Sequence, residues 1–247
     1  MRALSVANFG NVKQGFQMLK FTMPRNVLVG INEFSADKDA RFYLRAVAID
    51  MTDYDRPLVV ATDGCILGAY QFDGGHNPEG ERPESIGQSD YKCVYVIPND
   101  AIGAIAKVKA PFRTADADVT ICIDDIVDNS QRVTLSIFGV TIESKLIDAR
   151  YPDWRQVLPT TIKPGNNQFD TELLMSANKG LSIATGGDPK KNIIAVRHNK
   201  GGASLIYCGS DQCFGVIMPI RAEIPENWSA QSVLNFGLPE QQTAVDA

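Results

Sequence analysis

The chain has 247 residues, 44% of them hydrophobic and 21% charged, with a net charge of −5. This length accommodates one large domain or two smaller ones, and the acidic balance disfavours a protein that grips nucleic acid over a whole face, although it allows one local basic face. No apolar run approaches the length of a membrane span and MRALSVANFGN lacks a signal-peptide core, which predicts a cytoplasmic protein that does not engage a membrane.

Three segments of the chain share one pattern, a helix followed by about three strands. The strand predictions rest on alternation of apolar and polar residues, as in VTIESKLI, and on turns such as TDG and NKGG. The predicted helices cover residues 5–21, 98–110 and 169–184. The predicted strands cover residues 40–50, 57–64, 65–72, 118–126, 132–139, 140–148, 192–198, 202–209 and 213–221.

This repeated pattern predicts an α+β fold. Two units facing each other would form a complete domain over residues 1–160, and one further unit would form an abbreviated domain over residues 161–222. Residues 223–247 show no strand pattern and are predicted to be a tail. A Gly- and Pro-rich stretch over residues 71–90 is typical of an exposed loop.

The residue types that carry chemistry do not converge in a recognisable motif. The histidines are predicted to lie in a loop and at a strand end, and the Asp cluster is predicted to be a solvated turn. The cysteines are predicted to be buried reduced thiols, since no second pair or histidine cluster accompanies Cys208 and Cys213 to form a zinc site. The histidines are His76 and His198, the Asp cluster is Asp124, Asp125 and Asp128, and the cysteines are Cys65, Cys93, Cys122, Cys208 and Cys213. The sequence therefore predicts no enzyme, metal site or cofactor; a metal-dependent nuclease using Asp124 or Asp125 is an alternative.

Three blocks place ordered polar residues in apolar surroundings: VVATDGCILGAY (59–70), DARYPDWRQVLP (148–159) and GVIMPIR (215–221). Met and Ile on an accessible edge suit an adaptable pocket for a partner's apolar side chain. Core strands are the other interpretation of the same pattern.

In this order, the three blocks resemble the bacterial DNA polymerase III β sliding clamp family, with ARFYLRAVAID and FDTELLMSANKG as further matching segments. The resemblance covers roughly residues 5–222 and implies the DNA-clamp fold. It also implies a non-catalytic, cytoplasmic replication processivity factor without a cofactor. Such a protein surrounds double-stranded DNA as an oligomer and tethers DNA polymerase or other proteins.

In that family, partners insert a QxxLxF-like peptide into a groove between the last two domains. The resemblance implies a groove from the following residues: Leu44, Thr62, Gly64, Cys65, Ile66, Leu67, Pro152, Gln156, Val157, Val216, Ile217, Met218, Pro219, Ile220 and Arg221.

The chain also departs from the family pattern. The family's first domain has no counterpart, the last domain is reduced to one unit, and Cys65-Ile66 replaces a more polar pair. We therefore expect either a ring with more subunits or no ring, in a shortened member that would fit a phage or mobile element.

Basic residues lie on or after each of the three predicted helices, which face DNA in the family. Loose, sequence-independent phosphate contacts or ordinary solvated side chains both account for them. These DNA-contact candidates are Lys13, Lys20, Arg25, Lys107, Lys109, Arg113, Lys179, Lys190 and Lys191.

The tail contains QSVLNF, in which Gln231, Leu234 and Phe236 form a QxxLxF pattern. It would dock in a clamp groove or form a short helix on its own domain. An alternative function follows from it: an inhibitor or decoy that binds a host clamp through the tail without encircling DNA.

Overall fold

The computed structural model describes residues 19–53, 56–72, 93–111, 117–124, 131–165 and 167–221. The strands are β1 (Leu19–Pro24), β2 (Ala46–Asp50), β3 (Leu58–Thr62), β4 (Ile66–Gln71), β5 (Val94–Pro98), β6 (Asp118–Ile123), β7 (Arg132–Ile137), β8 (Val140–Lys145), β9 (Ala195–Arg197), β10 (Ser204–Tyr207) and β11 (Cys213–Ile217). The helices are α1 (Arg25–Asn32), α2 (Asn99–Lys107) and α3 (Thr171–Ala184), with short 3-10 turns at Phe42–Leu44 and Trp154–Val157. None of these helices is long and apolar enough to cross a membrane.

Proline sets the junction between strand and helix twice. Pro24 ends β1 and Pro98 ends β5, and each is the N-cap of the helix that follows, with φ near −60° and an extended ψ. A proline fits here because its φ is fixed near this value and a helix start needs no N–H from it. Helix α3 begins instead with a side-chain cap, because Asp170 accepts a hydrogen bond from the Glu172 N–H at 2.8 Å.

The strands form two antiparallel sheets. The strand that precedes each of the first two helices, β1 or β5, lies in the sheet formed by the strands of the other segment. The first sheet has the order β1-β6-β7-β8, so β1 joins strands from later in the chain. The second has the order β5-β2-β3-β4-β11-β10-β9, so β5 joins the earlier strands. Strand β11 pairs with β4 from Cys213 opposite Tyr70 to Ile217 opposite Ile66. The third segment of the chain therefore continues the sheet of the first.

The fold class predicted from the sequence is confirmed, but β1 was predicted as part of a helix and β5 was not predicted as a strand. Each predicted strand is present in shorter form, and the second and third predicted helices correspond to α2 and α3. The helix predicted over residues 5–21 is wrong at residues 19–21, which lie in β1, and its other residues lie outside the described part of the chain. Alternating burial along LKFTMP favours a strand there, and the helix begins only after Pro24. The division of the chain near residue 160 stays a prediction.

Two hydrophobic clusters cover the two faces of the second sheet. Val47, Ile49 and Val59 point toward the helices, in a core that also contains residues of the first sheet. On the opposite face, Ala48 and Val60 pack under Tyr151 and Trp154 of the segment that follows β8. The near-continuous burial of β2 and β3 follows from this double covering.

Helices α1 and α3 approach each other closely through two glycines. A Cβ atom at Gly30 would lie 2.4 Å from the Ala184 nitrogen, and one at Gly180 would lie 2.7 Å from the Gly30 carbonyl oxygen. The ring of Phe34 fills the space beside Gly68 and Gly180. This close approach fixes the third segment against the first on the helix side of the sheet.

We predict that Gly30→Ala destabilises the fold by about 2–3 kcal/mol, because the added methyl group meets backbone rather than a flexible side chain. Gly103→Ala on α2 is the matched control: nothing lies within 4 Å of its added Cβ, and helix propensity alone stabilises by about 0.5–1 kcal/mol. Urea unfolding of both variants measures the difference. Equal stabilities would show that the two helices do not pack as described.

Candidate functional site

A groove of about 300 Å³ lies on the face of the second sheet opposite the helices. Its floor crosses three strands in one row, because Leu67 pairs with Thr62 of β3 on one side and with Val216 of β11 on the other. The groove therefore sits over the junction where the third segment joins the sheet. Its lining residues are Arg41, Tyr43, Leu44, Thr62, Gly64, Cys65, Ile66, Leu67, Pro152, Asp153, Trp154, Val157, Val216 and Met218.

The turn between β3 and β4 forms one edge of the groove and is held by its own side chains. Asp63 Oδ1 accepts hydrogen bonds from the N–H groups of Cys65 and Ile66 at 2.7 and 2.8 Å. The Thr62 hydroxyl donates to the Ile66 carbonyl at 2.6 Å and accepts from the Gly64 N–H at 3.0 Å. Gly64 has a φ of +99°, which a residue with a side chain rarely adopts. ATDG is thus a sequence that fits this tight, rigid turn.

The end of β11 is joined to this turn through the backbone. The Met218 N–H donates to the Cys65 carbonyl at 2.8 Å, one residue beyond the strand. The Met218 side chain is 41% exposed, as is that of Val157 on the other side of the groove. Exposed apolar side chains over an apolar floor make the groove suited to apolar groups of a ligand.

A buried carboxylate holds the opposite wall in place. Asp50, at the end of β2, is 1% exposed, and its Oδ2 accepts hydrogen bonds from Trp154 Nε1 at 3.1 Å and from Arg155 Nη1 at 2.6 Å. The Thr52 N–H donates to Asp50 Oδ1 at 3.0 Å. The Arg155 guanidinium also lies 4.4 Å from the centre of the Trp154 ring. We call Asp50, Trp154 and Arg155 the Asp50 clasp.

The clasp sets the protonation state of Asp50. Burial raises the pKa of its carboxyl group, but the hydrogen bonds from Arg155 and Thr52 outweigh burial and bring the pKa below its usual value. Asp50 is therefore a charged acceptor at neutral pH.

Tyr151 lies next to the clasp and has a buried hydroxyl group. Among the described residues its oxygen has no hydrogen-bond partner of normal geometry. Burial raises the pKa of Tyr151 far above its usual value, although the nearby Thr62 backbone partly opposes this effect. The phenol is neutral and serves to pack the segment after β8 against the sheet.

The structure brings most of the groove residues predicted from the sequence together, but not all. Gln156 is exposed and donates to Asp153 Oδ2 at 2.9 Å, and Ile217 is buried among the residues that face the helices because side chains alternate along β11. Pro219, Ile220 and Arg221 follow Met218 but do not line the groove.

Four lining residues were not predicted as groove residues. They are Arg41, Tyr43, Asp153 and Trp154. Each lies within three positions of a predicted groove residue, so closeness in sequence to those residues was the only signal that could have indicated them. Arg41 is paired with Asp39 at 2.7 Å, and hydrogen bonds from the Arg41 side chain and N–H lower the pKa of Asp39 to about 2. The role of this whole set in binding stays a prediction.

The predicted DNA-contact residues have different surroundings. Arg25 donates to the Ala106 carbonyl at the end of α2, and Lys179 is paired with Glu33 at 2.8 Å. Lys20 is half-buried in β1, whereas Lys107, Lys109, Lys190 and Lys191 are exposed, the last with its ammonium 3.9 Å from Asp188. Lys13, Arg113 and the tail residues Gln231, Leu234 and Phe236 lie outside the described residues.

The residue types that could carry catalysis remain dispersed where the structure describes them. His198 Nδ1 accepts from the Asn167 N–H at 3.1 Å, and no group of three His, Cys, Asp or Glu residues in the described ranges could hold a metal. His76, Asp125 and Asp128 lie outside those ranges. The five cysteines are reduced, with Cys65 exposed and Cys122 half-buried, which corrects the expectation that all are buried. Cys65 is exposed because it belongs to the turn between β3 and β4. Cys122 is only half-buried because its side chain lies on the face of β6 that does not pack on the core.

We predict that Asp50→Asn lowers the free energy of unfolding by about 2–3 kcal/mol at pH 7, because the charged acceptor of Trp154 and Arg155 is lost. Since folding lowers the pKa of Asp50, its contribution is present above the unfolded pKa of about 3.9 and is lost as pH falls through the folded value. The difference between wild type and variant should therefore shrink below about pH 4. Denaturant unfolding from pH 7 to pH 3 measures it.

Asp53→Asn is the control for this prediction, since Asp53 forms an exposed ion pair with Arg56 at 3.3 Å and such pairs contribute about 0–1 kcal/mol. A destabilisation equal to that of Asp50→Asn would contradict the role given to the clasp.

Some known proteins are similar to this chain in sequence. No family model matches the chain. The chain is 28% identical over 163 residues to the beta sliding clamps of Escherichia coli K12 and Proteus mirabilis, a match that spans 64% of this chain but only 39% of each relative.

Solved structures agree with these sequence matches. A DnaN sliding clamp from Pseudomonas aeruginosa bound to griselimycin has a TM-score of 0.55 and 15% identity over 87% of this chain and 68% of that one. A griselimycin-bound DnaN sliding clamp from Bartonella birtlesii has a TM-score of 0.53 and 18% identity, over 87% of this chain and 70% of that one. The chain is therefore similar in sequence to bacterial beta sliding clamps and has the DNA-clamp fold of repeated helix-plus-antiparallel-strand units.

Proposed function

We propose that the protein is a non-catalytic, clamp-fold replication factor that tethers partner proteins to DNA through its groove. One observation carries the proposal: three blocks far apart in sequence meet in one open, apolar groove over the β4–β11 junction. The turn after β3, the segment held by the Asp50 clasp and the end of β11 each contribute one side. A groove assembled from rigid elements in this way suits recognition of a short peptide.

The groove has the chemistry for a QxxLxF-like peptide. Leu67 and Val216 offer a buried apolar floor, and Met218 and Val157 offer exposed apolar rims that a leucine or aromatic side chain would cover. The Arg41 guanidinium at the edge can donate to peptide carbonyl or carboxylate oxygens. DNA polymerase or another DNA-bound protein carrying such a peptide is the proposed partner.

The opposite face of the molecule is the proposed DNA side. The helices lie on the other face of the sheet from the groove, and Lys107, Lys109 and Lys190 are exposed at or beyond the ends of α2 and α3. A few lysines on an acidic protein favour weak backbone contacts without sequence preference. Assembly of several copies around duplex DNA would hold partners near their substrate.

We predict that a synthetic QSVLNF peptide binds the protein and that Met218→Ala and Val157→Ala each weaken binding roughly tenfold, about 1.4 kcal/mol. Both side chains are 41% exposed, so their truncation should spare the core. Met175→Ala is the matched control, because Met175 is 70% exposed on α3. Fluorescence anisotropy measures the affinities. Unchanged binding to the groove variants, or an equal weakening in the control, would refute this site.

We predict that Lys107→Glu, Lys109→Glu and Lys190→Glu, combined, weaken duplex DNA binding and make its dependence on log salt shallower by about 0.9 for each phosphate that the protein no longer neutralises. Lys145→Glu is the control, since Lys145 lies on the face of β8 opposite Ile142, which packs against the core. The affinity of each variant for duplex DNA, measured at several salt concentrations, tests this prediction. An effect of the control about one third as large as that of the triple variant would show only a response to net charge, because the control carries one charge reversal and the triple variant three.

The alternative is a decoy that engages a host clamp through Gln231, Leu234 and Phe236, which lie outside the described residues. The two functions differ in solution mass. A closed multimer on duplex DNA supports the tethering factor. A monomer without DNA affinity that binds a bacterial sliding clamp, and no longer does so when Leu234 and Phe236 are changed to Ala, supports the decoy.

A further inference from the structure

Two cysteines face each other at the base of the turn between β10 and β11. Tyr207 pairs with Phe214, so the next positions outward, Cys208 and Cys213, are opposite one another. Directly opposite residues of antiparallel strands have Cα atoms about 4.5 or 5.5 Å apart, and a disulfide requires about 4.4–6.8 Å. Both are free thiols, and Cys208 Sγ donates to the Cys213 carbonyl at 3.4 Å. The register therefore places the pair at the separation that a disulfide requires.

The two thiols differ in their access to solvent. Cys208 is 7% exposed and lines a polar cavity of about 390 Å³ beside Asn26, Tyr70 and Gln212, whereas Cys213 is 1% exposed and does not line it. A small polar solute in the cavity can therefore reach Cys208 first, with Cys213 behind it.

The neighbouring thiol also favours ionisation of Cys208. When Cys208 loses its proton, the Cys213 thiol can donate to its sulfur, which lowers the pKa of Cys208 below its usual value and raises that of Cys213. The thiolate is the form that reacts with peroxides, so Cys208, the less deeply buried of the two cysteines, is also the one that more readily forms the reactive species.

We propose that Cys208 and Cys213 are a peroxide-reactive dithiol that closes to an intrachain disulfide. Cys208 thiolate attacks one oxygen of hydrogen peroxide, the O–O bond breaks, and Cys208 becomes a sulfenic acid with release of hydroxide. Cys213 sulfur then attacks Cys208 Sγ, its proton leaves with the sulfenic oxygen as water, and the S–S bond forms. In total, two thiols and one peroxide give one disulfide and two waters, and two electrons pass from sulfur to oxygen.

The location gives the disulfide a structural consequence. Gln212 in this turn accepts hydrogen bonds from the Gln71 N–H and the Tyr70 hydroxyl, each at 2.8 Å, and so joins the turn to β4. A disulfide at the base of the turn would fix the end of the β4–β11 junction that lies away from the groove. The inference stands independently of the proposed function.

The test uses the full chain with Cys65→Ser, which removes the exposed thiol, and hydrogen peroxide as the probe. Intact mass should fall by two hydrogens, and a reductant should restore it. Cleavage before Asp211, between the two cysteines, should leave the fragments connected until reduction. The melting temperature should rise by a few degrees on oxidation and return on reduction.

Two further variants separate the roles of the sulfurs. Cys213→Ser should stop at a sulfenic acid on Cys208 that a dimedone probe traps, and Cys208→Ser should give neither trap nor disulfide at this turn. The proposal is overturned if the peptide map of the Cys65→Ser protein shows Cys208 and Cys213 as unlinked thiols or as separately oxidised sulfurs. This map does not depend on either variant folding.

Discussion

The buried carboxylate of Asp50 is the interaction on which the site depends. Removing a charge from water costs several kcal/mol, and here donors from Trp154, Arg155 and Thr52 offset that cost. Two of these donors belong to the segment after β8, so the carboxylate draws that segment onto the sheet. One wall of the groove therefore lies where it does because the buried carboxylate at the end of β2 is partnered by side chains of this segment.

The second constraint is the way the chain shares its sheets. Strands β1 and β5 exchange places, so neither of the first two segments can complete its sheet alone. Strand β11 then adds to β4, and the close approach of the glycines of α1 and α3 fixes the same relationship on the helix side. A groove over the β4–β11 junction is consequently held from both faces of the sheet. Groups from three distant blocks therefore already line one groove.

Many elements of this fold could be predicted from the sequence, and the elements that were not predicted were missed for physical reasons. Alternation and turn residues predict the strands around TDG and NKGG because one-sided burial and tight turns leave local signals. Strand β1 was missed because a short alternating segment directly before Pro24 carries no turn signal, and the exchange of β1 and β5 depends on contacts that local patterns do not encode. The position of Trp154 was visible in YPDW, but its partner Asp50 is 104 residues away and only the fold brings them together.

We propose above all that the groove over the β4–β11 junction binds a peptide. The most direct measurement is a titration of the isotope-labelled protein with the QSVLNF peptide, followed by amide chemical shifts. We expect the shift changes to be concentrated at residues 62–67, 152–157 and 216–218, with little change along α2. Shifts confined to the helix face, or none at saturating peptide, would contradict it.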